Sequence, residues 1–240
     1  MNIAVILAGG IGSRVGARIP KQFIEVLGKP VIVYTLEQFQ NNCNIDAIEV
    51  VCIDSYIEYM KDLIRKYDLT KVRWIVKGGK DFQHSVMNGI NALKDKAAED
   101  DIILIHYAAS PFVTDDILND AVRVCSEKGN CTSATPTVLL CGSNDGGKSE
   151  HWVDRDKVMQ LNAPQCFKYA YVRDLYIEAE KRGLIDKVEP HTTTLMFALG
   201  RTIYFSYGTQ SNIKITSKSD LETFEGYVLY KNRNKQKNER

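Results

Sequence analysis

The chain has 240 residues, with 31 Lys and Arg against 30 Asp and Glu, a formal net charge of +1 with His neutral. A composition that is 44% hydrophobic and 25% charged excludes a disordered or fibrous chain. No run of 18 apolar residues is present, so no membrane span is expected, and near-neutrality argues against nonspecific nucleic-acid binding.

The length suits a single domain, 1–240, burying about 70–75% of its unfolded surface. Ile3–Leu7 is a short apolar run that breaks into glycines and lacks a basic leader. It reads as a buried strand and not as a signal peptide. Strand-length apolar runs recur at Ile48–Ile53, Val72–Val76 and Ile102–Ile105. Between them Ile57, Met60, Leu63, Ile64 and Tyr67 keep helical spacing, as do Val86, Ile90 and Leu93, and then Ile117, Ala121, Val122 and Val124. The alternation implies βαβ units: an α/β, Rossmann-like, mostly parallel sheet with helices on both faces. Thr114 is expected to cap the helix whose first turn carries Asp115 and Asp116.

Past Gly129, residues 132–140 look like another strand. Cys141–Ser149 is turn-rich between strand-like flanks, which predicts a protruding β-arm over 138–163. A helix at Ala170–Arg182 and strands at Thr202–Tyr207 and Asn212–Ile215 follow. A last helix starts from an N-cap at Ser219, with Glu222 three residues on, and runs to about Tyr230. Lys231–Arg240 holds five basic residues and one Glu, a net +4 within a total of +1, so the other 230 residues carry −3. That tail reads as a solvated, frayed end. The six cysteines, at 43, 52, 125, 131, 141 and 166, form neither a CxxC pair nor a zinc pattern, which points to a reducing cytoplasm. Trp74 is expected in the core and Trp152 on the arm. His106 is expected as strand-end packing and His191 as a loop residue.

Ligands of an open parallel sheet bind beyond the carboxyl ends of its strands. After the first strand comes Ala8-Gly9-Gly10-Ile11-Gly12-Ser13-Arg14, then Pro20-Lys21-Gln22. Three glycines in four positions let backbone N–H groups turn toward an anion, and Arg14 and Lys21 add two cations. Val15 breaks a dinucleotide fingerprint and no window fits a P-loop. The glycines alone would make no more than a tight turn. With the two cations they indicate a triphosphate site.

This signature resembles that of the cytidylyltransferases acting on polyol phosphates, the methylerythritol-4-phosphate and ribitol-5-phosphate cytidylyltransferases. The resemblance continues through Gly78-Gly79 with Ser85-Val86, Val153-Asp154-Arg155, Pro164-Gln165 and Asn212-Ile213-Lys214-Ile215-Thr216. It implies a nucleotide-diphospho-sugar-transferase-like fold, a homodimer formed through the arm, Mg²⁺ as cofactor and a place in polyol-precursor or isoprenoid biosynthesis. The implied reaction is in-line attack of a polyol phosphate on the α-phosphorus of CTP, with pyrophosphate leaving. Arg14, Lys21 and Lys214 would be the catalytic cations. Nucleotide contacts would fall on Ala8, Gly9, Gly10, Gly12, Ser13, Gly78, Gly79, Ser85 and Tyr107, and acceptor contacts on Ser110, Thr192 and Arg155, the last reaching the acceptor phosphate of the neighbouring subunit.

The sequence departs from that pattern at four places. His106-Tyr107-Ala108-Ala109-Ser110-Pro111 replaces His-Asp-Ala-x-Arg-Pro, so a phenol stands at the family's carboxylate and the metal ligand is unknown. Phe82 replaces an Arg, Val138-Leu139-Leu140 a polar stretch, and His191-Thr192-Thr193-Thr194 an acidic cluster. The changes are expected to cluster where metal and acceptor meet, with Phe82, Tyr107, Leu139 and Leu140 making the pocket less polar. Three readings stand: an enzyme with a pocket rebuilt for its acceptor, a nucleotide-binding homologue without catalysis, or an α/β binding module sharing only the fold.

Overall fold

The computed structural model describes residues 1–10 and 19–238. Strand β1 (Asn2–Ala8) leads through a 3-10 turn at Lys21–Phe23 into a small hairpin, β2 (Glu25–Val26) and β3 (Lys29–Pro30). Then come α1 (Val31–Asn41), β4 (Ala47–Cys52), α2 (Ile57–Lys66), β5 (Val72–Lys77), α3 (Phe82–Ala92) and β6 (Ile102–Tyr107). The second half holds α4 (Asp115–Lys128), β7 (Asn130–Pro136), β8 (Cys141–Gly142), β9 (Trp152–Val153), β10 (Met159–Lys168) and α5 (Tyr169–Lys181). It closes with α6 (Thr192–Ala198), β11 (Phe205–Tyr207) and α7 (Lys218–Asn238).

Seven strands form one sheet in the order β11-β7-β10-β6-β1-β4-β5, parallel throughout except for β10, which runs against both neighbours. Every residue of β4 and β6 is buried, as strands covered on both faces must be. Ile6, Ile48, Val50 and Leu104 face one layer with Leu36, Met60 and Ile117. Ile3, Val5, Ile103 and Ile105 face the other with Val86, Val172 and Leu175. From β1 the chain winds one way to β4 and the other way to β6. Their carboxyl ends therefore diverge around a crevice, the place where such sheets take ligands.

Several elements differ from the sequence reading. β7 stops at Pro136, where the chain leaves the sheet for the arm, so 137–140 is not strand. Leu139 and Leu140 are 66% and 84% exposed on that arm, with Trp152 at 72%, and line no pocket with Tyr107. β11 begins only at Phe205. The expected strand at 212–215 is irregular, because Ile215 turns into a third cluster with Val31, Phe112 and Phe224 while its N–H reaches the Ala109 carbonyl at 2.8 Å. The last helix is capped by Ser217, not Ser219: the Asp220 N–H donates to the Ser217 hydroxyl, and an Asp220 carboxylate oxygen accepts from the Ser217 N–H at 2.8 Å. α7 continues through Asn238 instead of ending near Tyr230; Lys, Arg and Gln are good helix formers and the basic charges suit its C-terminal dipole. Thr114 occupies the N-cap of α4 but its hydroxyl makes no cap bond. α1, entered from Pro30, and α6 lie where no helix was expected. Among the described residues no helix is long and apolar enough to cross a membrane.

One buried group strains this core. Glu49 sits mid-strand in β4 with no exposure and no hydrogen-bond partner, under Gly89 of α3. A Cβ at Gly89 would come within 2.9 Å of Glu49 Oε1, so the glycine lets the helix lie on the sheet here. Burial raises the Glu49 carboxyl to about 8, and Lys96 only partly opposes it. The folded chain thus holds a proton that the unfolded chain releases. Stability is full below pH 4.5 and falls as pH rises from there through about 8. Unfolding free energies from urea titrations of the wild type should be lower at pH 9 than at pH 5 by on the order of 3–5 kcal/mol, and Glu49→Gln should remove most of that difference. An unchanged pH dependence in Glu49→Gln would show that this carboxyl is ionised in the fold.

Candidate active site

Ala8 and Gly10, at the start of the loop after β1, are held from beneath. Pro20 starts the 3-10 turn that carries Gln22, which is 2% exposed. The Gln22 amide donates to the carbonyls of Ala8 at 2.8 Å and Gly10 at 2.9 Å. Beside it, Lys21 Nζ donates to the Ile215 carbonyl at 2.5 Å, tying the segment after β1 to the one that carries Lys214. The loop after β5 meets the first loop edge to edge. Gly78 N–H donates to the Cys52 carbonyl, and a Cβ on Gly78 would lie 3.7 Å from the Gly9 Cα. The Ser85 hydroxyl accepts from the Gly79 N–H at 3.0 Å and donates to the Asp81 carbonyl at 2.7 Å. Asp81 caps α3 by accepting from the His84 N–H at 2.9 Å.

These loops enclose a cavity of about 320 Å³. Gly9, Gly10, Lys21 and Gln22 line it from one side, Lys80, Asp81, Phe82 and Ser85 from another, and Tyr107, Ala109 and Lys214 from the third. Three lysines against one carboxylate make it a cationic cleft suited to a polyanion. Its far wall is aromatic. Tyr107 lies 5.9 Å from Phe82 and 6.2 Å from His191, centroid to centroid, and Phe82 lies 5.5 Å from His191. The Tyr107 hydroxyl is 2.7 Å from His191 Nδ1, and Lys214 Nζ stands 3.7 Å from the centre of the Tyr107 ring. Burial, helped by Glu189, raises the Tyr107 phenol well above its usual value, so it is neutral. Burial and then Lys214 lower the His191 imidazole, against Glu189. His106 is fully buried, donates from Nε2 to the Ser110 carbonyl at 3.0 Å, and is pushed down to about 4 by burial. It is a neutral packing residue.

The cavity brings together Gly9, Gly10, Lys21, Ser85, Tyr107 and Lys214 from the sequence expectations, with Gly78 and Gly79 just behind Ser85. Gly12, Ser13 and Arg14 lie outside the described residues. Two expected acceptor contacts lie outside the lining, and the third, Arg155, is expected to reach the acceptor of the neighbouring subunit. Ser110 is fully buried beneath the site, and Thr192 is fully buried with its hydroxyl 3.0 Å from that of Tyr176. Arg155 is on the arm, donating to the Val138 carbonyl at 3.4 Å. Ala8 contributes its carbonyl to Gln22 and does not line the cavity. Gln22, Lys80, Asp81 and His191 were missed as site residues. Gln22 carried a signal as part of the Pro20-Lys21-Gln22 run, and Asp81, three before His84 at a helix start, carried that of a cap.

The cleft does not fit a metal ion anchored by the chain. Asp81 is the single carboxylate in its lining, and it is occupied by the His84 N–H and Nδ1. At the rim Asp81, His84 and Asp186 bring ligand atoms within 4.8 Å, but all are at least partly exposed and Lys80 already sits 2.9 Å from Asp186.

The chain matches the family of 2-C-methyl-D-erythritol 4-phosphate cytidylyltransferases (IspD) over residues 2–229. It is similar to a ribitol-5-phosphate cytidylyltransferase of Lacticaseibacillus paracasei, 38% identical over 234 residues, covering 96% of this chain and 99% of that one. It is similar to a 2-C-methyl-D-erythritol 4-phosphate cytidylyltransferase of Clostridium acetobutylicum, 37% identical over 224 residues, covering 92% and 94%. Its fold is that of the crystal structure of 4-diphosphocytidyl-2C-methyl-D-erythritol synthase from Anaerococcus prevotii, with a TM-score of 0.79 at 23% identity over 95% and 96% of the two chains.

Two glycines of the cleft separate folding from binding. A Cβ at Gly79 would stand 2.4 Å from the His84 Cβ, whereas one at Gly10 meets nothing within 4 Å among the described residues. Gly79→Ala should cost about 1–3 kcal/mol in urea unfolding, as overpacking does. Gly10→Ala should unfold within about 0.5 kcal/mol of wild type yet bind nucleoside triphosphate more weakly in calorimetry, by crowding the cavity floor.

Proposed function

This chain belongs to the 2-C-methyl-D-erythritol 4-phosphate cytidylyltransferase family, and from that premise we propose that it transfers the cytidylyl group of CTP to ribitol 5-phosphate. That it is a cytidylyltransferase joining CTP to a phosphorylated polyol follows from its family and relatives. The choice of ribitol 5-phosphate is the finer step. It is supported by relatives of that name in Lacticaseibacillus paracasei and Streptococcus agalactiae, at 38% and 36% identity over nearly the whole chain.

The observation that carries the mechanism is the convergence of Lys21 and Lys214 on the Gly9-Gly10 loop in one cleft. An oxygen of the acceptor phosphate attacks the α-phosphorus in line. A P–O bond forms to that oxygen as the bond to the β-phosphate oxygen breaks, and pyrophosphate leaves with the electron pair. The attacking group is already an anion at neutral pH, so no protein base or nucleophile is required. The chain's task is to hold two anions together and to spread the charge of the transition state over Lys21, Lys214 and Arg14. The family's reaction takes a divalent ion. Because the cleft offers no carboxylate cage, Mg²⁺ in this reading arrives on the triphosphate oxygens as part of the substrate.

The arm supplies the rest of the reading. Two copies would pair through the exposed arm, placing Arg155 of each near the other's acceptor phosphate. Six cysteines, none in a disulfide, support a cytoplasmic location.

A pyrophosphate-release assay with CTP, Mg²⁺ and a panel of polyol phosphates should give its highest kcat/KM with ribitol 5-phosphate. Preference for methylerythritol 4-phosphate would reassign the acceptor, and CTP binding without turnover on any acceptor would make the chain a nucleotide-binding homologue. Lys214→Ala and Arg14→Ala should each lower kcat/KM by about 100-fold with little change in thermal midpoint.

A further inference from the structure

The wall opposite the glycine loop is organised around one aromatic ring. Tyr107 ends β6 and is 8% exposed. Its hydroxyl meets His191 Nδ1 at 2.7 Å, and His191 Nε2 lies 3.8 Å from Glu189 Oε1. A carboxylate beside Nε2 favours the tautomer protonated there, which leaves Nδ1 to accept and the Tyr107 hydroxyl to donate. Phe82 packs on both Tyr107 and His191, so the Tyr107 ring is fixed through its hydroxyl and against its side. What the fixed ring offers to the cleft is contact with the Lys214 ammonium, 3.7 Å from its centroid.

That distance is a close cation–π contact in a largely desolvated place, where such contacts are strongest. It also suits the ligand. A carboxylate could fix a lysine equally well but would add a negative charge beside a bound triphosphate. The ring fixes the ammonium through its quadrupole and adds no charge of its own.

We propose that Tyr107 is a positioning residue for the transfer, its ring, packed against Phe82 and His191, holding the Lys214 ammonium so that it meets the substrate phosphates. The inference rests on the cytidylyl-transfer reading given above. It adds that the ring of Tyr107, more than its hydroxyl, sets the turnover of the site.

The test is steady-state kinetics of the full-length chain with CTP and its best polyol-phosphate acceptor, for Tyr107→Phe, Tyr107→Leu, Lys214→Ala and the Tyr107→Leu/Lys214→Ala double variant, each with a thermal midpoint. Tyr107→Phe keeps the ring and should stay within about threefold of wild-type kcat, while Tyr107→Leu should lose about tenfold in kcat and several-fold in CTP affinity. On top of Lys214→Ala, the Leu substitution should cost less than about twofold more, because its effect passes through that lysine. Full kcat in Tyr107→Leu, or losses that multiply in the double variant, would overturn the proposal. If Tyr107→Leu does not fold, Tyr107→Met, of similar bulk without a ring, takes its place in the cycle. A wild type that binds CTP without turnover counts against the transfer reading alone. Calorimetric CTP affinities of the same four variants then decide this proposal, non-additivity supporting it and additivity overturning it. A wild type that does not bind CTP overturns both.

Discussion

The divergence of the chain on either side of β1 is the constraint from which the rest of the molecule follows. β1 pairs in parallel with β4 and with β6, and the crossovers to them lie on opposite faces of the sheet. No helix can then cover the carboxyl ends of β1 and β6 together, so a crevice is left there whatever the side chains are. The sequence fills its edges with groups that a crevice can use. Gly9 and Gly10 follow β1, Gly78 and Gly79 follow β5, and Tyr107 ends β6. Gln22 locks the first loop by its carbonyls, and Ser85 locks the second through the Gly79 N–H.

Charge in the cleft is arranged by geometry more than by number. The chain is nearly neutral, yet Lys21, Lys80 and Lys214 share one cavity with the single carboxylate of Asp81. The two lysines nearest the glycine loop are held differently. Lys21 is drawn to the Ile215 carbonyl, whereas Lys214 lies on an aromatic ring. The Ile215 carbonyl and the Tyr107 ring are both uncharged, so neither contact adds an anion to the cleft. The same economy explains why the aromatic wall need not weaken the site. A phenol and a neutral imidazole, both kept uncharged by burial, support a cation without competing for it.

Much of this was legible in the chain and some was not. The buried strands showed themselves as short apolar runs because both faces of β4 and β6 are covered, and the glycine loop announced itself by three glycines and flanking cations. The late strands misled, since 212–215 is apolar to fill the third cluster beside Phe224 and not to join a sheet. Leu139 and Leu140 were read as pocket lining when they stand on an exposed arm. Ser110 and Thr192 sit at the right places along the chain for acceptor contacts, but the fold turns both inward, where Thr192 meets Tyr176 and Ser110 lies under the His106 ring.

The sequence by itself determined the α/β class, the glycine loop at the carboxyl end of β1 and the family resemblance, because these depend on short-range patterns: apolar period, glycine spacing and a handful of adjacent motifs. It also determined that a carboxylate is absent at Tyr107. Only the tertiary structure decided what replaces it. His191 is 84 residues from Tyr107 along the chain and Phe82 precedes it in another βα unit, yet the three rings meet with Lys214 in one corner. Contacts of that kind arise from where crossovers return the chain, and no local pattern encodes the return. The near-zero net charge from which the sequence reading began could not register a cationic cleft, because a sum over residues holds no information about which of them become neighbours.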